Sequence, residues 1–381
     1  MKKSKSTMRS VVMTLIVVLG LGVFAGPILA QEIKIGLISS LTGPVSTYGQ
    51  SVRNAVEMAV DEINSAGGIN GSKINLIIRD DKGDATEAAN IARYLIDREQ
   101  VALILGPVIT PCVMAVAPIA QEAGVPLMTP TGTGDSITAI GDYIFRAAYK
   151  DSLQGRVMAR FAAEELGLKR VAIIYDIAND YSVGLMNSFK NAFEEFGGTI
   201  VTVQSYTTGD RDFSAQLTSI LLANPEGLYI PDYHSAVGPI LLQANQFGID
   251  AVKLGVDGWD SPDLKSLSGG NHEGGYYVNH YSVLDTREAT VEFTTKYIDR
   301  FGFEPDALAA LGYDAVLIVK AALEKAGSTD PVALKDALGT VKNVVAATAT
   351  IDMDPEGTPY KPIVILQVQN GVPVIVDRVY P

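Results

Sequence analysis

Two loops in this sequence carry hydroxyls and backbone amides of the kind that can hold an anion. The apolar run Val101 to Leu105 leads into Gly106, Pro107, Val108, Ile109, Thr110 and Pro111, and Thr110 followed by Pro111 reads as an N-cap and first helical position. Free N–H groups and the positive end of the helix dipole attract a carboxylate at such a start. Thr110 could equally do no more than cap its own helix, and spacing does not choose between the two. A second hydroxyl-rich turn, Thr131-Gly132-Thr133-Gly134, follows Met128 and Thr129. Together the two loops could grip one anion. The opposite sign is supplied by Asp257, which with Gly258 and Trp259 directly follows the run Lys253 to Val256. An acid in that position can neutralise a cation in a cleft. Two more runs, ending at Tyr175 and Ile230, lead to Asp180 with Tyr181 and to Asp232 with Tyr233. One aromatic at a strand end is more often packing than contact, but three such places with acids among them suggest a wall.

Covalent and redox chemistry find little support. The only histidines are His234, His272 and His280; none sits in a strand-to-helix elbow, and no G-x-S-x-G occurs. Gly132-Thr133-Gly134 begins like a dinucleotide loop, yet Ile137 stands where its third glycine belongs. Asp352, Asp354, Glu356 and Gly357 imitate the start of a calcium loop, but its twelfth position is Ile363 rather than glutamate. Asp80, Asp81 and Asp84 read better as a solvated turn with Asp84 capping a helix than as a metal site. Cys112 is the single cysteine, so neither an internal disulfide nor a thiolate cluster can form. The chain is expected to use no cofactor and no metal, and not to be an enzyme.

The elements that must position these loops alternate short β-rich runs with segments of helical period, the pattern of parallel sheets with crossover helices. A strand at Ile33 to Ile38 precedes a helix with Val52, Ala55, Val56, Ala59, Val60 and Ile63 on one stripe, stopped by Gly67 and Gly68. Strand Ile74 to Ile78 and a helix carrying Ala88, Ile91, Ala92 and Leu95 repeat the unit. After about Lys150 the grammar restarts. Strands at Val171 to Tyr175, Thr199 to Gln204 and Gly227 to Ile230 flank a helix with Leu185, Phe189, Ala192, Phe193 and Phe196. A further helix behind Asp212 should bury Phe213, Leu217, Ile220 and Leu221. Two series imply two similar α/β lobes, and ligands of open parallel sheets sit beyond the carboxyl ends of the strands.

Lys2, Lys3, Lys5 and Arg9 precede an uncharged apolar run from Val11 to Ala25. A basic start, an apolar stretch of about 7–15 residues and a small residue at the cut describe a cleaved secretory signal peptide, here residues 1–30. Removing it takes away four of the 30 basic residues and none of the 43 acidic ones, leaving 26 against 43, a formal charge of −17. A field of that sign repels nucleic acid and anionic lipid, so small molecules or another protein are the expected partners.

The opening IKIGLISSLTGPVSTYGQ, the segment DEINSAGGINGSKINLIIRDDKGD, the loops LGPVITP and MTPTGTG, and GVDGWDSP follow in order the pattern of the leucine/isoleucine/valine-binding proteins, type I periplasmic binding proteins of ABC importers. The resemblance covers nearly the whole chain after the signal peptide. It implies two lobes, each a parallel sheet flanked by helices, joined by a three-crossing hinge: residues 31–147 plus 279–347, and 148–278 plus 348–381. It further implies that Thr110 and Thr133 hold the α-carboxylate of an amino acid, that the Thr131 carbonyl and Asp257 hold its ammonium, and that Ile109, Tyr48, Tyr181 and Tyr233 surround it. The expected protein is a monomeric periplasmic receptor that captures an L-amino acid, aliphatic or branched, and delivers it to ABC permease subunits. The alternative is a receptor for another small polar molecule, an amide or organic acid, that signals to a membrane partner. Two departures reshape the pocket: Asp257 stands where the family often has a glutamate, and near Leu308 an aromatic found in some members is aliphatic.

Overall fold

The structure is a computed structural model in which residues 32–380 are described; the signal-peptide expectation lies outside them. The first lobe holds β1 (Ile33–Ser39), β2 (Ile74–Asp80), β3 (Leu103–Leu105), β4 (Leu127–Thr129) and β5 (Ile144–Arg146), in the order β2-β1-β3-β4-β5. All four pairings are parallel, with Leu37 opposite Ile78 on one side and Leu105 on the other. Helices α1 (Ser46–Ser65), α2 (Ala85–Tyr94) and α3 (Thr110–Ala123) provide its first crossovers. Every residue of the expected α1 stripe is buried, and Asp84 caps α2 by accepting from the Glu87 N–H at 2.8 Å. Asp80 is likewise consumed by its turn, accepting from the N–H groups of Leu41 and Lys82.

The second lobe opens with α4 (Asp151–Arg160) and continues through β6 (Arg170–Asp176), α5 (Asp180–Glu195), β7 (Thr199–Tyr206), α6 (Ser214–Ala223), β8 (Gly227–Tyr229), α7 (His234–Gln246), β9 (Val252–Gly255), α8 (Leu264–Leu267) and β10 (Tyr276–Asn279). The chain then returns to the first lobe for α9 (Glu288–Phe301), α10 (Ala307–Ala326), α11 (Pro331–Leu338) and the small antiparallel sheet of β11 (Val344–Val345), β12 (Thr350–Met353) and β13 (Pro359–Tyr360). It ends in the second lobe with β14 (Ile363–Gln369) and β15 (Val372–Val379).

The second sheet, in the order β15-β14-β10-β9-β8-β6-β7, is mixed rather than wholly parallel. Its five βα strands are parallel, but β14 runs antiparallel to β10 and β15 to β14. Asn370 and Gly371 both take positive φ between the last two strands, the geometry of a two-residue hairpin, which can only join antiparallel neighbours.

Each lobe has its own core. One cluster gathers buried residues from Ile33 to Ala147 and from Tyr281 to Met353; the other gathers Tyr149 to Val278 and Ile363 to Val368. The chain therefore passes between the cores three times. The last passage lies later than the expected boundary at 347/348, because Ala349, Ile351 and Met353 pack into the first core, where β12 pairs with β11. A second correction concerns Leu221, which is 43% exposed: α6 buries a narrow stripe of Leu217 and Ile220 and turns Leu221 outward.

Candidate functional site

Between the lobes, at the carboxyl ends of both sheets, lies a small cavity of about 30 Å³. All eight residues singled out in the sequence line it: Tyr48, Ile109, Thr110, Thr131, Thr133, Tyr181, Tyr233 and Asp257. Val108, Gly258, His280, Ala307, Leu308 and Leu311 complete the wall.

The first lobe contributes mostly backbone. Ile109, extended at φ −106° and ψ 146°, is the capping residue of α3, and Thr110 is its first helical residue; the expected assignment of Thr110 as cap is one residue late. The cap position carries no side-chain hydrogen bond, and the buried Thr110 faces the cavity at a helix start whose first N–H groups have no partner within the helix. The neighbouring loop is stitched to this one. Thr129 Oγ1 donates to the Pro107 carbonyl at 2.8 Å and accepts from the Gly132 N–H at 2.9 Å, while Thr131 Oγ1 donates to the Val108 carbonyl at 2.5 Å. The Thr131 hydroxyl is thus spent inside the protein, and its carbonyl has no partner among the described residues. Arg146, fully buried in β5, donates to the carbonyls of Thr133 and Gly134 at 2.8 Å and Gly132 at 3.4 Å. Burial lowers its guanidinium to about 10, so it stays cationic at neutral pH. A trans peptide points its N–H opposite its carbonyl. Drawing the Gly132 carbonyl onto Arg146 therefore turns the Thr133 N–H away from the arginine.

The second lobe contributes side chains. Asp257 follows β9 and opens a short turn to Trp259. Tyr181 donates its phenol to Asp257 Oδ1 at 2.6 Å and accepts from the Gly258 N–H at 3.0 Å. His280 Nε2 lies 3.1 Å from Oδ2, and the Asp257 N–H reaches Gln154 Oε1 at 3.3 Å. Burial, helped by nearby Lys361, pushes His280 down to about 4. At neutral pH it is an uncharged ring donating one N–H to the carboxylate, held by stacking on Tyr149 with centroids 3.6 Å apart. No lysine or arginine is ion-paired with Asp257 among the described residues, and its side chain is only 13% exposed. A carboxylate so enclosed, with hydrogen-bond donors but no lysine or arginine in ion-pair contact, can neutralise a cation.

An aromatic wall joins the two halves. Tyr233 stacks on Tyr181 at 4.7 Å and meets the edge of Tyr48 at 5.9 Å; Tyr48 donates to the Gly258 carbonyl across the cleft and accepts from the His234 N–H at 3.1 Å. Leu308 and Leu311, one turn apart at the start of α10, close the apolar side with Val108 and Ile109. Trp259 turns into the second core and donates to the Ile230 carbonyl at 3.0 Å rather than lining the cavity. Sequence reasoning missed His280 and Leu311. His280 directly follows β10, so the rule that found the other loops would have found it had that strand been read.

The match to the periplasmic binding protein family runs over residues 32–372, and the chain belongs to that family. It is 33% identical to the Leu/Ile/Val-binding protein homolog 3 of Brucella melitensis over 86% of this chain and 88% of that protein. Among solved structures it resembles a leucine-binding protein of Thermotoga maritima, with 36% identity, a TM-score of 0.87 and coverage of 92% of this chain and 99% of the other. It also resembles the substrate-binding protein of a branched-chain amino acid transporter from Streptococcus pneumoniae, solved with isoleucine, at 30% identity and a TM-score of 0.86, covering 92% and 100%.

Proposed function

We propose that this protein is a solute receptor that captures an L-amino acid with an aliphatic side chain between its lobes and delivers it to an ABC importer. The observation that carries the reading is a single cavity with donors at one end, a carboxylate in ion-pair contact with no lysine or arginine at the other, and leucines beside both. Thr110 and Thr133 hold the α-carboxylate, the Thr131 carbonyl and Asp257 hold the ammonium, and Ile109, Tyr48, Tyr181 and Tyr233 enclose the body of the ligand. The leucine-binding and isoleucine-bound relatives support the same ligand class.

The lobes follow the two cores, 33–147 with 281–353 and 149–278 with 363–379, and move as two bodies about the three passages between them. The chain is exported after loss of residues 1–30 and acts as a monomer against the permease subunits. Titration calorimetry against the twenty L-amino acids, their amides and their deamino analogues tests the reading. Heat from leucine, isoleucine or valine, and none from the deamino acids, is expected. Heat from carboxylic acids lacking an amine, with none from any amino acid, would overturn it.

A further inference from the structure

Along one edge of the cavity, one short stretch of the second lobe bridges the cleft. The Gly258 carbonyl accepts from Tyr48, Asp260 Oδ2 accepts from the Ala307 N–H at 2.8 Å, and the Ser261 hydroxyl lies 3.1 Å from that of Thr47. Thr47, Tyr48 and Ala307 stand on α1 and α10 of the first lobe. Asp257, which heads the same stretch, lines the cavity. The loop that would meet the ligand's ammonium is therefore the loop that holds the lobes together.

Ala307 opens α10, and its N–H is one of the donors a helix start leaves free. Asp306, the N-cap of the same helix, already accepts from the Ala309 N–H at 2.8 Å and from the Ser51 hydroxyl at 2.5 Å. Two carboxylates, one from each lobe, converge on one helix N-terminus and are stabilised there by its dipole. Asp260 is anchored on its own side by Asn279 Nδ2 at 2.9 Å, so it presents a fixed acceptor to the helix.

We propose that Asp260 is the closing residue of the cleft: it docks on the start of α10 only when the lobes meet, and so sets the lifetime of the ligand-bound state. The idea rests on the two-lobed receptor reading above but not on the identity of the ligand. Docking brings Asp260 beside Asp306. Asp257 also faces Asp260 from its own loop, Tyr48 faces it from α1, and Tyr277 and Tyr281 from β10 and the residues after it; Glu304 lies near Tyr281. None of these groups is a cation. Burial raises Asp260, and burial together with Asp260 pushes Asp306 up to about 7.

Closure should therefore take up a proton. In the open cleft the carboxylates return toward the ordinary aspartate value near 4. The closed state is then favoured at the acid side of that window, and the advantage is lost as pH rises through about 7. Above that value both states are ionised and the dependence levels off.

The test is calorimetry with L-leucine from pH 5.5 to 8 on the wild type and on Asp260→Asn, which can still accept from the Ala307 N–H but cannot take a proton. The wild type should bind at least fivefold more tightly at pH 5.5 than at pH 8, and Asp260→Asn should vary by less than twofold. Asp260→Ala should release leucine at least tenfold faster with an unchanged association rate, its ligand-free melting temperature reporting that it folds. Parallel pH profiles for the wild type and Asp260→Asn overturn the proposal. If the wild type binds no L-amino acid, the ligand reading fails alone, and small-angle scattering of the ligand-free protein decides the clasp. The radius of gyration should then be smaller at pH 5.5 than at pH 8 in the wild type and independent of pH in Asp260→Asn; a wild-type radius that does not change refutes it.

Discussion

The two halves of the cavity are built from different material. The polar part of the half in the first lobe is mostly backbone: peptide groups of the Ile109 and Thr133 loops, aligned from behind by Thr129 and by Arg146, whose guanidinium gathers three successive carbonyls. The half in the second lobe is one carboxylate steered by two side chains, Tyr181 and His280. A backbone site depends on the path of the chain, so it should yield to changes that move the loop and tolerate changes of the side chains it does not use. A side-chain site should yield to loss of a single group.

The sharpest test of that contrast is the largest expected effect. Asp257→Asn keeps the volume and an acceptor but removes the charge, and should weaken amino-acid binding by about 2–5 kcal/mol, the usual loss when a buried, hydrogen-bonded charge pair is broken. Calorimetry at neutral pH measures it directly. An unchanged affinity would place the ammonium elsewhere and dissolve the distinction between the two halves.

Next comes the backbone half. At Gly132 a Cβ would lie 2.8 Å from Thr129 Oγ1, 3.0 Å from Val113 and 3.1 Å from Ile137. Gly132→Ala must therefore displace the loop, and overpacking of this kind costs about 1–3 kcal/mol. Part of that loss should appear as weaker binding, because the Thr133 N–H moves with the loop. Thr131→Val supplies the contrast. The hydroxyl it removes bonds only the Val108 carbonyl, so the expected loss of about 0.5–1.5 kcal/mol should fall on thermal stability and leave affinity nearly unchanged. If instead Thr131→Val abolished binding while Gly132→Ala did not, the first-lobe site would be made of side chains after all.

Both halves were legible in the sequence to the extent that they obey one local rule, a polar loop at the carboxyl end of an apolar strand. Thr110, Thr133, Tyr181, Tyr233 and Asp257 all follow such strands. Their supports were not legible, because they come from distant stretches and announce themselves by no local pattern. Arg146 ends a three-residue strand and looks like any surface arginine until the fold closes over it. Asp260 meets Ala307 across 47 positions. The cap of α3 was misread by one residue, since a proline fits either of the first helical positions and Thr110 is the better capping residue by type, whereas Ile109 has the extended backbone. The C-terminal hairpin went unread, and its antiparallel docking on β10 depends on which sheet edge stood free.

The smallest expected effect concerns His280 and separates a neutral donor from a charged partner in the second-lobe half. Burial holds His280 down to about 4, below the ordinary histidine value near 6.5, so between those values the unfolded chain binds a proton that the folded protein refuses. For such a group folding stability is lost as pH falls through that window, by at most about 1.4 kcal/mol per pH unit. His234, also lowered to about 4 by burial, acts in the same direction. Asp232 and Asp306, each raised to about 7, act in the opposite one: the folded protein takes up their protons before the unfolded chain does, so acidification favours the fold. Burial also raises Asp81, Asp151, Asp260 and Asp314, so the raised carboxyls outnumber the lowered imidazoles and the wild-type profile is read only as the reference for the variant. His280→Gln, whose amide can still donate to Asp257, removes one acid-destabilising group. Denaturant midpoints of the ligand-free proteins at pH 6 and pH 5 should show the variant gaining about 1 kcal/mol on the wild type over that unit. Parallel behaviour of the two proteins would mean that His280 is protonated in the native state, in which case Asp257 already has its counter-ion and the second-lobe half loses its reason to recruit one from a ligand.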